Sequence, residues 1–204
     1  KRGLSISVVG IPKTIDNDIM YIKRTFGFTT AVDKAHDVIT CAHTEAKSYP
    51  NGIGLVKLMG RDSGFIAAAA TIASQDANFT IIPEIPLVLE GDKGFLEALK
   101  RRITRRKHAV IAVAEGAGQD LLAGQKQKDA SGNVLHGDIG LFLKERIISY
   151  FKEQKIPINM KYIDPSYIIR SVPANSEDCF LCDQYARNAV HAAMAGKTDM
   201  RSEE

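Results

Sequence analysis

Hydrophobic positions along the chain follow two different spacings, which predict strands and helices in turn. Residues 53–59 and 108–114 are almost entirely apolar and predict buried strands. Residues 29–47 instead place apolar side chains every three or four positions, as in a helix with one buried face. The other predicted elements are strands over 4–10, 79–82 and 158–163 and helices over 65–74, 94–106, 138–153 and 176–195. Alternating strands and helices predict a layered α/β protein with a largely parallel sheet.

Composition and charge narrow the class of protein. The 204 residues are 45% hydrophobic and 25% charged, with a formal net charge of +3, as in an ordinary globular protein. The basic run over residues 100–107 could bind polyanions or be a solvated helix face. The mild net charge does not demand a nucleic-acid partner, and no apolar stretch reaches the ~20 residues of a membrane span. Three cysteines, an odd number, argue against a disulfide framework and for a reducing cytoplasm.

Three loops that follow predicted strands carry the polar and glycine residues of a possible ligand site. They cover residues 10–18, 60–64 and 115–120. Ligands of open parallel sheets bind beyond the carboxyl ends of the strands. If the three strands lie side by side, the loops converge on one crevice.

The first of these loops carries two close carboxylates. Asp16 and Asp18 lie two positions apart, so both point the same way in an extended loop, with Thr14 on that side too. Close carboxylates raise each other's pKa or share a cation, which suits a base beside a magnesium-bound phosphate. Lys13 adds a point charge for phosphate oxygens. The alternative is a turn rich in aspartate and asparagine that caps the next segment.

The later loops offer cationic and hydrogen-bonding side chains. Arg61 lies in a glycine-containing turn before a predicted helix, so it could clamp a phosphoryl group or simply be a surface arginine. Glu115 could accept hydrogen bonds from sugar hydroxyls or cap a helix. Tyr167 and Arg170 are three apart, hence on one face if helical, and together suit a phosphorylated sugar. A packing tyrosine beside a surface arginine is the alternative.

Five motifs stand in a fixed order along the chain. They are P-K-T-I-D-N-D (12–18), F-G-F-x-T-A-V (26–32), K-L-M-G-R-x-S-G-F-I-A (57–67), A-E-G-A-G-Q (114–119) and K-Y-I-D-P-S-Y-I-I-R (161–170). In order and spacing these motifs resemble those of the phosphofructokinase family, in particular its plant and trypanosome-like branch. The resemblance covers almost the whole chain.

The resemblance implies an ATP-dependent 6-phosphofructokinase of glycolysis, which transfers a phosphoryl group from ATP, with Mg²⁺, to the 1-hydroxyl of fructose 6-phosphate. It implies Asp16 as the catalytic base, Lys13 and Arg61 as further catalytic residues, and Asp18 near the magnesium through water. The implied substrate contacts are Thr14, Ile15, Asp16, Met59, Gly60, Arg61, Glu115, Tyr167 and Arg170. A pyrophosphate-dependent phosphofructokinase and a non-catalytic sugar-phosphate-binding fragment are the alternatives.

The family also implies a three-layer Rossmann-like fold with two lobes, here incompletely represented. Residues 1–27 and 169–204 are expected in the phosphoryl-donor lobe, and residues 28–168 in the fructose 6-phosphate-binding lobe. The family's G-G-D-G-type donor loop is not among the 204 residues, so we expect little turnover from this chain alone. The full-length protein is expected to be a cytoplasmic, allosteric homotetramer.

One position departs from the family pattern. Gly52 stands where bacterial ATP-dependent relatives have an arginine that reaches a neighbouring subunit's site. The contact to the sugar 6-phosphate is therefore expected to differ here, or to come from Lys57 or elsewhere.

Overall fold

Strands and helices alternate along the chain, as the hydrophobic pattern predicts. The computed structural model describes residues 6–122 and 137–201. The strands are β1 (Val9–Gly10), β2 (Gly52–Leu58), β3 (Phe79–Ile81), β4 (His108–Ala114), β5 (Asn159–Ile163) and β6 (Met200–Arg201). The helices are α1 (Phe28–Ser48), α2 (Phe65–Ser74), α3 (Phe95–Arg106), α4 (Ile139–Glu153), α5 (Ser166–Arg170) and α6 (Ser176–Met194), with a 3₁₀ turn over Gln119–Leu122. None of the helices in the described ranges combines the length and apolar character that crossing a bilayer requires.

Four strands form the central sheet in the order β3-β4-β2-β5, and each neighbouring pair is parallel. β2 lies between β4 and β5, and all of its residues except Lys57 are buried. A strand covered on both faces reads as a continuous apolar run, which is why the sequence pattern located β2 and β4. Parallel strands bring their carboxyl ends to one edge, so the segments after β2, β4 and β5 lie side by side.

Helices cover both faces of the sheet. Successive residues of a strand point to opposite faces, and β2 shows the consequence. Leu55 belongs to the core formed with Leu99 of α3 and Leu143 of α4, whereas Val56 belongs to the core on the other face, with Ile39 of α1. The resulting α/β/α layers confirm the predicted fold class.

Gly52 is required by the close packing of α1 on β2. A Cβ atom at Gly52 would lie 2.0 Å from the backbone oxygen of Ala46, so no side chain can extend from this position without moving the helix. The absence of an arginine at this position therefore has a packing cause.

The two ends of the described chain form a smaller unit. β1 pairs in parallel with β6, and α6 packs beside β1. Of the strand predicted over residues 4–10, the structure describes residues 6–10 and has Val9–Gly10 as β1; residues 4 and 5 lie outside the described ranges. The assignment of residues 1–27 and 169–204 to one lobe and of 28–168 to another stays a prediction.

Asp178 of α6 ties this smaller unit to the start of α1. Its side chain is 1% exposed and accepts hydrogen bonds from the backbone N–H of Gly27 (3.1 Å) and Thr30 (2.8 Å) and from the Thr30 hydroxyl (2.5 Å). The first turn of a helix has unpaired N–H groups, and the cap position of α1 is Gly27, which has no side chain to satisfy them. A carboxylate distant in sequence therefore provides the cap.

Candidate active site

A cavity of about 580 Å³ lies at the carboxyl edge of the central sheet. Its walls come from the loop after β1, the loops after β2 and β4, and α5, which follows β5. The lining residues are Lys13, Thr14, Ile15, Asp16, Asp18, Met59, Arg61, Glu115, Ser166 and Arg170. The three loops that the sequence predicted to converge meet here, although β1 pairs with β6 in a separate sheet and does not lie beside β2 and β4 as that prediction assumed.

Asp16 forms the inner wall of the cavity. Its side chain is only 6% exposed, and its Oδ1 atom is buried without a hydrogen-bond partner. Burial raises the pKa of Asp16 above its ordinary 3.8; Asp18 and Glu115 raise it further, while Arg61 and Arg170 lower it without reversing the shift. A buried carboxylate with a raised pKa and an unused oxygen is suited to accepting a proton.

The loop around Asp16 is held by its polar neighbours. Asn17 has a left-handed backbone (φ 58°), and its Oδ1 accepts a hydrogen bond from the N–H of Thr25 at 2.9 Å. The Thr14 hydroxyl accepts from the N–H of Asp16 (3.1 Å), and the Ser63 hydroxyl donates to the Asp16 carbonyl (3.1 Å). Asn17 therefore has a structural role in this loop, through its hydrogen bond with Thr25, whereas the Asp16 carboxylate is left for the cavity.

The loops after β2 and β4 fix each other. Glu115 Oε1 accepts hydrogen bonds from the N–H groups of Arg61 (2.8 Å) and Gly60 (3.2 Å). Arg61 has a left-handed backbone (φ 47°), which costs a residue other than glycine about 1–3 kcal/mol. A Cβ atom on Gly116 would lie 2.0 Å from the Arg61 carbonyl oxygen, so only glycine fits beneath this turn. Glu115 thus holds a neighbouring loop, and the guanidinium of Arg61 is presented to the cavity.

α5 brings Ser166 and Arg170 to the cavity and leaves Tyr167 outside it. Ser166 and Arg170 are four residues apart and both line the cavity, whereas Tyr167 is 83% exposed and does not. Residues four apart share a helix face, and the next residue is turned by about 100°. Ser166 thus lines the cavity beside Arg170, although the sequence analysis did not name it, and its spacing from Arg170 was the available signal. A substrate contact from Tyr167 stays a prediction.

Lys57 forms ion pairs with two carboxylates. Its Nζ atom lies 2.8 Å from Asp164 Oδ2 and 3.1 Å from Asp138 Oδ2, and its side chain is 13% exposed. The ammonium group therefore faces two carboxylates instead of the cavity. Any contact to a sugar 6-phosphate must come from another residue.

Asp18 is the residue of the cavity that fits an indirect contact to a magnesium ion. Within residues 6–122 and 137–201, no group of three His, Cys, Asp or Glu side chains is arranged to bind a metal directly. Asp18 lines the cavity with an exposed carboxylate beside Asp16. Because Mg²⁺ keeps several of its waters in proteins, a single carboxylate such as Asp18 suits a contact through water.

Comparisons with known proteins give one family. A family model described as Phosphofructokinase matches residues 1–193. The chain is 55% identical to the ATP-dependent 6-phosphofructokinase of Borreliella burgdorferi, an alignment that covers 98% of this chain and 46% of that protein. It is 52% identical to ATP-dependent 6-phosphofructokinase 7 of Arabidopsis thaliana (99% and 42% covered). It is 48% identical to the ATP-dependent 6-phosphofructokinase of Trypanosoma brucei brucei (97% and 41% covered).

The chain spans less than half the length of these three relatives. Solved structures have the same fold. Phosphofructokinase from Saccharomyces cerevisiae superposes with a TM-score of 0.71 at 25% identity, over 93% of this chain and 23% of that one. A pyrophosphate-dependent phosphofructokinase from Marinobacter aquaeolei gives 0.70 at 21% identity, over 95% and 46%. With its motifs, its fold and the family match over nearly all of its residues, the chain belongs to the phosphofructokinase family.

Proposed function

We propose that the protein carrying this chain is an ATP-dependent 6-phosphofructokinase, which phosphorylates the 1-hydroxyl of fructose 6-phosphate. One observation carries the proposal: Asp16 is a buried carboxylate with an unpartnered oxygen at a cavity that also contains Arg61, Arg170 and Lys13. The names of the relatives support ATP as the phosphoryl donor.

In the proposed reaction Asp16 is the general base. It accepts the proton of the sugar 1-hydroxyl while that oxygen forms a bond to the terminal phosphorus of ATP. The bond from this phosphorus to the bridging oxygen breaks, and ADP leaves with the electron pair. The proton then passes from Asp16 to solvent as the product departs. A positioned base is generally worth a factor of ~10²–10⁴ in rate, and burial brings the pKa of Asp16 nearer to the working pH.

Cationic side chains stabilise the charge that moves with the phosphoryl group. Lys13 lines the cavity from the loop that holds Asp16, and Arg61 lines it from the loop after β2. Electrostatic stabilisation by such cations is the largest contribution in phosphoryl transfer. Mg²⁺ bound with ATP would neutralise part of the negative charge on the donor phosphates. Asp18 would orient the waters around that ion.

The other lining residues orient the sugar phosphate. Glu115 is anchored through Oε1 and has further lone pairs for sugar hydroxyls. Arg170 and Ser166 approach from α5, and Arg170 is suited to a phosphate. The contacts assigned by family resemblance also include Thr14, Ile15, Met59, Gly60 and Tyr167.

The wider assignment follows the family resemblance. We infer a glycolytic enzyme that acts as an allosteric homotetramer in the cytoplasm. The three cysteines are free thiols, in agreement with a reducing compartment. Two Arabidopsis relatives carry the word chloroplastic in their names, so localisation of a tagged protein distinguishes the cytoplasm from a plastid.

A coupled assay tests the activity. The protein that carries this sequence, expressed over its whole reading frame, is offered fructose 6-phosphate with Mg²⁺ and either ATP or pyrophosphate, and fructose 1,6-bisphosphate is measured. We expect turnover with ATP. As a matched control, 1-deoxyfructose 6-phosphate lacks the accepting hydroxyl and should bind without being phosphorylated.

The other outcomes identify the alternatives. Turnover with pyrophosphate alone would assign the donor differently and leave the role of Asp16 intact; Lys13 before T-I-D suits either donor. Binding of fructose 6-phosphate without turnover from any donor would overturn the kinase proposal and favour a sugar-phosphate-binding module.

A further inference from the structure

An ionic cluster lies directly behind one wall of the cavity. Lys57 is the second-to-last residue of β2, two positions before Met59 of the cavity. Its ammonium group bridges Asp138 and Asp164, at 3.1 and 2.8 Å. Only 13% of the Lys57 side chain is exposed, whereas the side chains of Asp138 and Asp164 are 36% and 38% exposed, so the ammonium group is shielded from water while the carboxylates reach it.

Both carboxylates of this cluster also accept hydrogen bonds from the first turn of a helix. Asp138 Oδ1 accepts from the N–H of Leu141 in the first turn of α4 (3.0 Å) and from the Tyr162 hydroxyl (3.1 Å). Asp164 Oδ1 accepts from the N–H (3.1 Å) and the hydroxyl (2.6 Å) of Ser166, the first residue of α5. Lys57 therefore connects the central strand to the start of the helix that carries Ser166 and Arg170.

The hydrogen bonds within the cluster outweigh the effect of burial on the pKa values of Lys57 and Asp164. Burial alone would lower the pKa of Lys57, but hydrogen bonds with Asp164 and Asp138 outweigh it and raise the pKa. Burial alone would raise the pKa of Asp164, but its hydrogen bonds with Lys57 and Ser166 lower it. Burial raises the pKa of Tyr162 to about 12, so the phenol stays neutral and donates to Asp138. At neutral pH the lysine and both aspartates are charged.

α5 depends on such an anchor. It has five residues, and a helix of one turn is not stable without tertiary contacts. Its far end is fixed by Ile169, which is 2% exposed in the core beneath α1. Its near end is fixed through Asp164. Without the ammonium group, Asp138 and Asp164 would face each other as like charges, and their repulsion would turn the near end of α5.

We propose that Lys57 is a positioning residue that acts through Asp164 on α5 and sets the direction of Ser166 and Arg170 in the sugar-phosphate wall of the cavity. This inference rests on the proposed function. Because Lys13 and Arg61 do not belong to α5, Lys57 affects the binding of fructose 6-phosphate more than the use of ATP.

The test compares Lys57→Met with a matched control, Lys34→Met, which removes an exposed lysine from an i,i+3 pair with Asp37 on α1. The dissociation constant and the KM for fructose 6-phosphate and the KM for ATP are measured for each. For Lys57→Met we expect weakening towards fructose 6-phosphate by about tenfold or more, since small displacements of binding groups have effects of that order, with the KM for ATP unchanged. Lys34→Met should match the parent.

Two further variants separate positioning from general damage. Lys57→Arg keeps a cation that can bridge both carboxylates and should restore most of the affinity. Asp164→Asn keeps an acceptor for Ser166 but weakens the link to Lys57, so it should also weaken binding of fructose 6-phosphate. This variant decides the matter if Lys57→Met does not fold.

The proposal is overturned if Lys57→Met, or Asp164→Asn in its place, stays within about twofold of the parent for fructose 6-phosphate, or if the KM values for both substrates rise together. It fails separately from the proposed function. An active parent with unaffected variants removes only the role of Lys57, whereas a parent that binds fructose 6-phosphate without turnover removes the kinase assignment while the dissociation constants still test Lys57.

Discussion

Two buried aspartates, one in the cavity and one at the start of α1, are used in opposite ways. Asp178 is 1% exposed and accepts three hydrogen bonds from Gly27 and Thr30. Asp16 is 6% exposed, yet its Oδ1 has no partner. Both carboxylates lost most of their hydration on folding, but only Asp178 replaced it with protein donors.

The difference separates a stabilising carboxylate from a reactive one. Hydrogen bonds to a charged group contribute about 1.5–3 kcal/mol each, and a buried polar atom without one is costly. Asp178 thus stabilises the junction between α6 and α1. Asp16 is maintained at some cost to stability, as expected of a group that must accept a proton from a ligand.

The largest expected effect is on turnover by Asp16→Asn. The amide has nearly the same shape but cannot act as the base, so kcat should fall by about 10²–10⁴, while the dissociation constant for fructose 6-phosphate changes little. Both are measured on the full protein. A loss of less than about tenfold would remove Asp16 from the role of base.

A smaller effect is expected from Arg61→Met. Loss of the guanidinium removes charge stabilisation during transfer, so kcat should fall by about 10². Arg187→Met, which removes an exposed arginine from a surface pair with Asp183 on α6, serves as the control and should leave kcat unchanged. If the two variants had the same kcat, Arg61 would be a surface residue of the turn only.

Asp178→Asn should affect stability more than chemistry. An asparagine cannot accept all three hydrogen bonds, so the free energy of unfolding should fall by about 2–3 kcal/mol, with kcat retained while the protein is folded. The neighbouring Glu177→Gln, which breaks an exposed pair with Arg24, should change stability by less than about 1 kcal/mol. Denaturant unfolding compares the two. Equal effects would contradict the capping role of Asp178.

The smallest predicted effect has the opposite sign. The pKa of Asp16 is higher in the folded protein than its ordinary 3.8, so its contribution to stability is most favourable below pH 3.8 and is lost as the pH rises through the folded-state value. Asp16→Asn avoids that loss and should raise the melting temperature at pH 7. The gain should shrink towards pH 4. A variant that melts below the parent at pH 7 would contradict it.

Most strands and helices could be predicted from the spacing of apolar residues along the chain. The strand predicted over 108–114 is β4 without a shift, because a strand covered on both faces has an uninterrupted apolar run. α5 was not predicted as an element, since a single turn leaves no periodic signal and is held by Asp164 and Ile169. β6 was missed for the same reason: it is two residues long and is defined by its pairing with β1.

The site was predictable where chemistry is concentrated in short motifs. Asp16, Arg61 and Glu115 were found because each follows a predicted strand. Lys57 was not understood, because its partner Asp138 lies 81 positions away along the chain. Whether a buried carboxylate has partners also depends on the tertiary structure, so the sequence alone could not separate Asp16 from a capping aspartate.

A direct titration of Asp16 tests whether burial without a partner makes this carboxylate a base. With ¹³C-labelled aspartate, the carboxyl signal that disappears in Asp16→Asn is followed by NMR as the pH changes. We expect a midpoint above 3.8, the ordinary pKa of aspartate. A midpoint at or below 3.8 would show that Arg61 and Arg170 outweigh burial, and burial would then not make Asp16 a base.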